Sequence, residues 1–249
     1  MPGWNIVRIA SVTSTMDEID ALAEAGAPDR TVVVAEEQTA GRGRAGRQWT
    51  APAGSGLFLS ILYRPALEPA LLGPLPLIVG SAVADAIEIA FGIDCRLKWP
   101  NDILGSSGKL GGILVTSKLA EGRLRFVSIG VGINCTATKG DLPPGGASIL
   151  SEFGKRIAPS DVLPVLLDQV DRRLAEFERA HGRPELDNWL ARAAFLGEVV
   201  AIIDQGRRRE GRFVGVDADG ALLLENADGV RVRIVSGDLT RGPRLLNDL

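Results

Sequence analysis

Gly41-Arg42-Gly43-Arg44-Ala45-Gly46-Arg47-Gln48-Trp49 packs three glycines and three arginines into one short stretch, a composition too flexible for the interior of a helix or a strand. The apolar run Thr31-Val32-Val33-Val34-Ala35 precedes it and Gly56-Leu57-Phe58-Leu59-Ser60-Ile61-Leu62 follows it. The chain is therefore expected to leave one buried strand, form a loop, and return through another. Glycines let backbone N–H groups approach a ligand, and arginines supply planar, permanently charged donors suited to carboxylates and phosphates. The same composition also describes a solvated linker or an RNA-binding tail, so the loop alone leaves both readings open. Without an anion its arginines should repel one another and leave it mobile, and bound anion should order it.

A chain of 249 residues with 45% hydrophobic content can bury a conventional core. The 28 basic and 31 acidic residues nearly cancel, so total charge points to neither a nucleic acid nor an anionic membrane. Cys95 and Cys135 lack the spacing of a metal site or disulfide framework, which fits a reduced, cytoplasmic setting. The most hydrophobic region, residues 71–90, is interrupted by Gly73, Pro74, Pro76, Gly80 and Asp85 and should not cross a membrane. The single histidine, His181, excludes a Ser-His-Asp triad and a multi-histidine zinc site by count; it reads as a solvated helix-end residue.

Along the chain, Ile6 to Ala10 reads as a strand, and Ser14-Thr15-Met16-Asp17-Glu18 opens a helix that stops at Gly26. Thr15 and Glu18 have capping-box spacing, a structural use for the hydroxyl that can coexist with ligand contact. Leu75, Ile78, Ala82, Ala86 and Ile89 recur at helical spacing. Cys95 to Trp99 reads as a strand ending at Pro100, which puts Asn101 and Asp102 at a strand end. Gly112 to Thr116 and Arg125 to Ile133 form a hairpin, which should place Lys109 over the same sheet edge as Asn101, with Asn134 ending the neighbouring strand. A second helix, capped by Ser160-Asp161, runs through Val162, Leu166, Val170, Leu174 and Phe177, and a shorter one starts at Pro184. After Gly197 four short strands alternate with glycine turns, a small β-barrel pattern.

Three blocks carry the strongest signal: the arginine-glycine loop, Lys98-Trp99-Pro100-Asn101-Asp102, and Lys109-Leu110-Gly111-Gly112-Ile113-Leu114-Val115. With Ser14-Thr15 and Gly130-Val131-Gly132-Ile133-Asn134 they resemble the biotin protein ligases, in the same order, from about residue 10 to the C-terminus. The resemblance implies an α/β (α+β) fold: a mixed-sheet catalytic domain of the class II aminoacyl-tRNA synthetase and biotin ligase type over residues 1–195, then an SH3-like β-barrel over residues 196–249. Because few residues precede Ser14, the family's winged-helix repressor domain is expected to be absent, with no DNA as partner.

By the same resemblance, biotin is activated by ATP as biotinyl-5'-AMP and passed to a lysine of a biotin carboxyl carrier protein, that of acetyl-CoA carboxylase or a related carboxylase. Mg2+ accompanies the ATP. Ser14, Thr15, Gln38, Gly41, Arg42, Gly43, Arg44, Lys109 and Gly112 are implied at biotin, and Arg42, Arg44, Arg47, Trp49, Asn101, Lys109 and Asn134 at ATP or the adenylate. Arg44, Lys109 and Asp102 are the implied catalytic residues. Read from sequence alone, Trp49 fits a core position and the asparagines fit turns. Asp102 could equally be a strand-end cap. Met16 stands where relatives often have asparagine. A lipoate or octanoate ligase or transferase of the same fold is the nearest alternative, and a non-enzymatic nucleic-acid-binding protein the alternative of another class. Oligomeric state is left open, a homodimer included.

Overall fold

The computed structural model describes residues 3–204 and 206–242. In chain order these form β1 (Asn5–Val12), α1 (Thr15–Glu24), β2 (Thr31–Gln38), β3 (Gly41–Arg42), β4 (Gln48–Trp49), β5 (Gly56–Tyr63), α2 (Leu75–Phe91), β6 (Arg96–Lys98) and β7 (Asp102–Leu104). There follow β8 (Lys109–Ala120), β9 (Arg123–Asn134), α3 (Ile149–Phe153), α4 (Pro159–Arg179), α5 (Asp187–Ala191), β10 (Val199–Asp204), β11 (Arg207–Val216), β12 (Leu222–Glu225), β13 (Arg231–Ile234) and β14 (Asp238–Arg241).

The first seven-stranded sheet has the order β1-β2-β5-β9-β8-β7-β6. Only β1 and β2 are parallel, since α1 carries the chain back to the start of its neighbour; the other adjacent pairs are antiparallel. Every residue of β5 is buried, as a strand covered on both faces requires. Ile19 and Ala23 of α1 pack with Val33, Leu62 and Phe126 on one face. On the other, α2 and α4 cover Leu59, Ile61, Val127, Ile129 and Ile133. The β8–β9 hairpin turns through Glu121 and Gly122, both at positive φ (51° and 76°), the geometry that matches strand twist in a two-residue turn.

The second sheet is antiparallel, with five strands in the order β13-β12-β11-β10-β14. It is fastened to the first by Trp99, almost wholly buried, whose indole N–H donates to the Gly220 carbonyl at 3.0 Å. The loop-between-buried-strands expectation holds, since β2 and β5 pair directly.

Several local expectations change. Ser14, not Thr15, caps α1, accepting from the Met16 N–H, because the Thr15 hydroxyl is drawn to Gln38. The cap of α4 is Ala158 rather than Ser160, and Pro159 occupies the first turn, where a missing N–H costs nothing. The short helix begins at Asp187, not Pro184. Ile89 is 67% exposed: α2 is buried all round between sheet and α4 from Leu77 to Ile87, and its last turn projects beyond that layer. Strand β14 carries one buried residue, Leu239, too little alternation to read. His181 is exposed just after α4, as expected.

The helical layer is tied by Asp85 of α2, 9% exposed, which pairs with Arg173 of α4 at 2.6 Å and with Arg192 after α5 at 3.0 Å. Removing one member of such a group leaves buried charge uncompensated. Asp85→Ala should therefore lower unfolding free energy by about 3 kcal/mol, seen as a lower urea midpoint, whereas Glu176→Ala, which removes only an exposed partner of Arg173, should cost less than about 1 kcal/mol.

Candidate active site

Strands β8 and β9 pair Gly112 with Gly132 and Leu114 with Gly130, so a strip of the sheet presents backbone where side chains would stand. That strip floors a cleft of about 320 Å³. The glycines are needed for space. A Cβ at Gly132 would lie 2.7 Å from the Trp49 ring, one at Gly130 would lie 2.9 Å from the Met16 sulfur, and one at Gly112 would lie 3.2 Å from Lys109 Nζ.

One end of the cleft is polar and uncharged. Ser60 Oγ of β5 donates to Thr15 Oγ1 at 2.8 Å. Gln38 Oε1, at the end of β2, accepts from the Thr15 N–H at 2.8 Å and from its hydroxyl at 3.1 Å. Gly41 packs against this group: a Cβ there would meet Gln38 Nε2 at 3.0 Å and the Trp49 carbonyl at 2.6 Å. The relay fixes the amide of Gln38 without consuming its own N–H donors.

The other end is cationic. Five basic side chains (Arg42, Arg44, Arg47, Lys98, Lys109) and two acidic ones (Asp102, Asp238) line the cleft, which gives it a local charge of +3 in a chain of net −3. The arginines of the loop, expected to repel one another, are each set against a partner. Gly41 and Arg42 pair with Trp49 and Gln48 as a small hairpin, and Ala45 (φ 52°) and Gly46 (φ 73°) turn the chain. Each arginine has a partner: Arg42 Nη1 lies 2.9 Å from Asp17, Arg47 makes a two-pronged pair with Asp238 at 2.9 and 3.1 Å, and Arg44 Nη1 donates to Asn101 Oδ1 at 3.2 Å and to the Gly237 carbonyl at 3.5 Å. Burial draws the Arg44 guanidinium below its ordinary pKa while Asp238 opposes the shift; an arginine stays charged nonetheless.

Asp102 starts β7 and stands between two ammoniums, Lys109 Nζ at 2.5 Å and Lys98 Nζ at 3.0 Å. Burial alone would raise its carboxyl, but the two lysines, Lys109 foremost, more than offset this and hold it below the ordinary value. Lys109 Nζ also sits 5.5 Å from the centre of the Trp49 ring, within cation–π range. Trp49 thus packs on the glycine floor beneath a cation, with its indole N–H buried and, among the described residues, unpaired. Asn101 is pinned to β8 from both its ends: its side-chain amide donates to the Ile113 carbonyl at 2.7 Å and its own carbonyl accepts from the Ile113 N–H.

Of the residues expected at the site, Thr15, Gln38, Arg42, Gly43, Arg44, Arg47, Trp49, Asn101, Asp102, Lys109 and Gly112 line this one cleft. Ser14, Gly41 and Asn134 stand behind the lining. Ser14 is fully buried as a helix cap, and Asn134 donates to the Ala147 carbonyl at 3.0 Å while its Oδ1 is buried without a partner among the described residues. Met16, Lys98, Gly130, Gly132 and Asp238 line the cleft without having been singled out as ligands. Lys98 and the two glycines lay inside recognised blocks; nothing near Asp238 in the sequence marks it.

The mixed sheet, the glycine trough and the converging cationic set, followed by a small antiparallel sheet, have their counterpart among known proteins. The model described as the biotin/lipoate A/B protein ligase family matches residues 8–134, and that of the biotin protein ligase C terminal domain matches residues 195–239. The chain belongs to the biotin/lipoate A/B protein ligase family. It is similar to the bifunctional ligase/repressor BirA of Bacillus subtilis, 32% identical over 244 residues (96% of this chain, 75% of the relative). It is also similar to the biotin--[acetyl-CoA-carboxylase] ligase of Mycobacterium tuberculosis, 33% identical over 244 residues (95% and 89%). The solved biotin protein ligase from Aquifex aeolicus in complex with biotin and ATP superposes with a TM-score of 0.82 at 29% identity, covering 96% of this chain and 99% of that one.

The paired lysines make Asp102 a source of pH dependence with a definite sign. Its folded-state pKa is depressed, so its contribution to stability is full above the unfolded value of about 3.9 and fades as pH falls through that value and below it. The stability difference between the wild type and Asp102→Asn should therefore be constant from pH 7 to pH 5 and shrink toward pH 3, as measured by urea unfolding at each pH; a difference that grows on acidification would contradict the ion-pair assignment.

Proposed function

We infer that this chain is an ATP-dependent biotin protein ligase, which activates biotin as biotinyl-5'-AMP and transfers it to a lysine of a biotin carboxyl carrier protein. The observation that carries this is the cleft itself, in which a neutral polar end at Thr15 and Gln38 leads along a glycine floor to a cluster of cations around Arg44 and Lys109. A neutral, hydrogen-bonding ring fits the first end and a carboxylate meeting a phosphate fits the second. The Aquifex aeolicus structure, a biotin protein ligase with biotin and ATP, supports the same pairing of ligands.

In the first step the substrate carboxylate attacks the α-phosphorus, a P–O bond breaks, and pyrophosphate leaves. The nucleophile belongs to the substrate, so no enzymic serine, cysteine or histidine is required. The obstacle is Coulomb repulsion between two anions in a water-poor cleft, where fixed cations act strongly. Arg42 and Arg44 serve the biotin carboxylate and the α-phosphate, Lys109 the junction between them, and Arg47 an outer phosphate. Thr15 and Gln38, with Ser14 fixing the start of α1, offer hydrogen bonds to the ureido ring, and Gly41, Gly43 and Gly112 give it room. Trp49 and Asn101, which line the cleft, contact the adenylate, and Asn134, buried behind the lining, supports that end of the site.

In the second step a neutral lysine amine attacks the acyl carbon, AMP departs and the amine loses a proton. Asp102 is a weak base with both oxygens facing ammoniums, so its role is to aim Lys109. Magnesium would enter with the nucleotide, held mainly through phosphate and water oxygens; among the described residues no three His, Cys, Asp or Glu side chains are grouped to hold a metal.

The acceptor we propose is the carrier of acetyl-CoA carboxylase, the substrate named for the Mycobacterium tuberculosis relative. A catalytic unit over residues 1–195 and a separate unit from residue 196 onward fit the change from layered helices to antiparallel strands. A cytoplasmic location suits Cys95 and Cys135, both buried with thiols pushed up to about 12 and inert to exchange. No helix among the described residues is long and apolar enough to cross a membrane.

Incubation with ATP, magnesium and biotin should release pyrophosphate, and lipoate or octanoate in place of biotin should not; equal turnover with lipoate would overturn the biotin reading. Lys109→Ala should retain the folded state by circular dichroism while slowing adenylation roughly 10²–10³-fold, the usual loss for one preorganised donor. A near-normal rate would remove Lys109 from the chemistry.

A further inference from the structure

The second sheet places a carboxylate inside the cationic end of the cleft. Asp238, the first residue of β14, reaches Arg47 with both oxygens at 2.9 and 3.1 Å. The carbonyl of the preceding Gly237 lies 3.5 Å from Arg44 Nη1, so one short segment addresses two arginines of the loop. Its position is fixed from behind: Gly237 has φ of 143°, and a Cβ there would sit 2.6 Å from Ile202 on β10. The two side chains of the pair are 57% and 53% exposed, so water screens it and little holds it closed. A planar guanidinium bound by two carboxylate oxygens is also in the geometry in which it would bind two phosphate oxygens.

We propose that Asp238 is an internal anion that occupies the Arg47 guanidinium as a phosphate would and is displaced from it when a polyphosphate enters. The inference rests on the reading of this cleft as the ATP site. It makes the C-terminal sheet a participant in nucleotide entry, because β14 must give up its contact for Arg47 to turn to phosphate. A nucleoside triphosphate carries several negative charges where Asp238 carries one, which gives the exchange its direction. Among the described residues the ion-pair partners of Arg42 are Asp17 and Asp20, both on α1.

The test is to change each half of the pair separately and measure KM for ATP, KM for biotin and kcat from pyrophosphate release, with Tm as a check on folding. Displacement predicts opposite directions. Asp238→Asn should lower KM for ATP by about 3-fold, the scale of an exposed pair, and Arg47→Gln should raise it about 10-fold or more, the scale of a hydrogen bond to a charged group. KM for biotin should change less than about twofold in both, and Asp238→Asn added to Arg47→Gln should give no further drop. A pair that only braces the fold would lower Tm in both variants and move both KM values the same way. That result overturns the proposal, as does an unchanged or raised KM for ATP in Asp238→Asn, or a drop that persists without Arg47. If Asp238→Asn does not fold, Asp238→Ser is read by the same outcomes. No biotin-dependent pyrophosphate release by the wild type would instead remove the functional reading beneath it, whereas normal turnover with parallel KM shifts removes only this inference.

Discussion

Like charges crowded into one cleft repel, and the architecture answers that repulsion with carboxylates supplied from separate elements. Asp102 on β7 stands between Lys98 and Lys109, Asp17 on α1 meets Arg42, and Asp238 on β14 meets Arg47. No single stretch of chain could provide these partners, so the cleft is assembled only when α1, the far edge of the first sheet and the last strand of the second are all in place. Folding and the electrostatics of the site are in this sense one problem. Trp99, bonded to Gly220, keeps the second sheet where its carboxylate is needed.

Much of this was legible beforehand. The buried strands around the loop, the hairpin of β8 and β9 and the placing of Lys109 near Asn101 follow from alternation and glycine turns, whereas the meeting of the loop arginines with them was implied by the family resemblance. What could not be read was long-range pairing. The arginines look self-repelling in sequence because their partners are distant in the chain, Asp238 lying 191 residues from Arg47. Ile89 fits a helical stripe, yet periodicity cannot tell where α2 leaves the shelter of α4. Ser14 and Thr15 are neighbours with the same chemistry, and which one caps α1 is decided by Gln38, outside the helix. The cleft roles of Gly130 and Gly132 depend on cross-strand register, which places them beside Gly112 and under Trp49 and Met16.

The glycine floor has an evolutionary consequence. Its shape is defined by atoms that are missing, at positions where an added carbon would collide with Trp49 or Met16 or crowd Lys109. Point substitution at those positions can only subtract volume, since glycine is already the smallest residue. The range of ligands accepted over the floor can therefore be narrowed one mutation at a time, but widening it requires the strands themselves to shift, a concerted change that a paired sheet resists. Drift at Gly112, Gly130 and Gly132 is in this way a ratchet toward exclusion, and new substrate breadth in such a scaffold has to arise at the walls of the cleft.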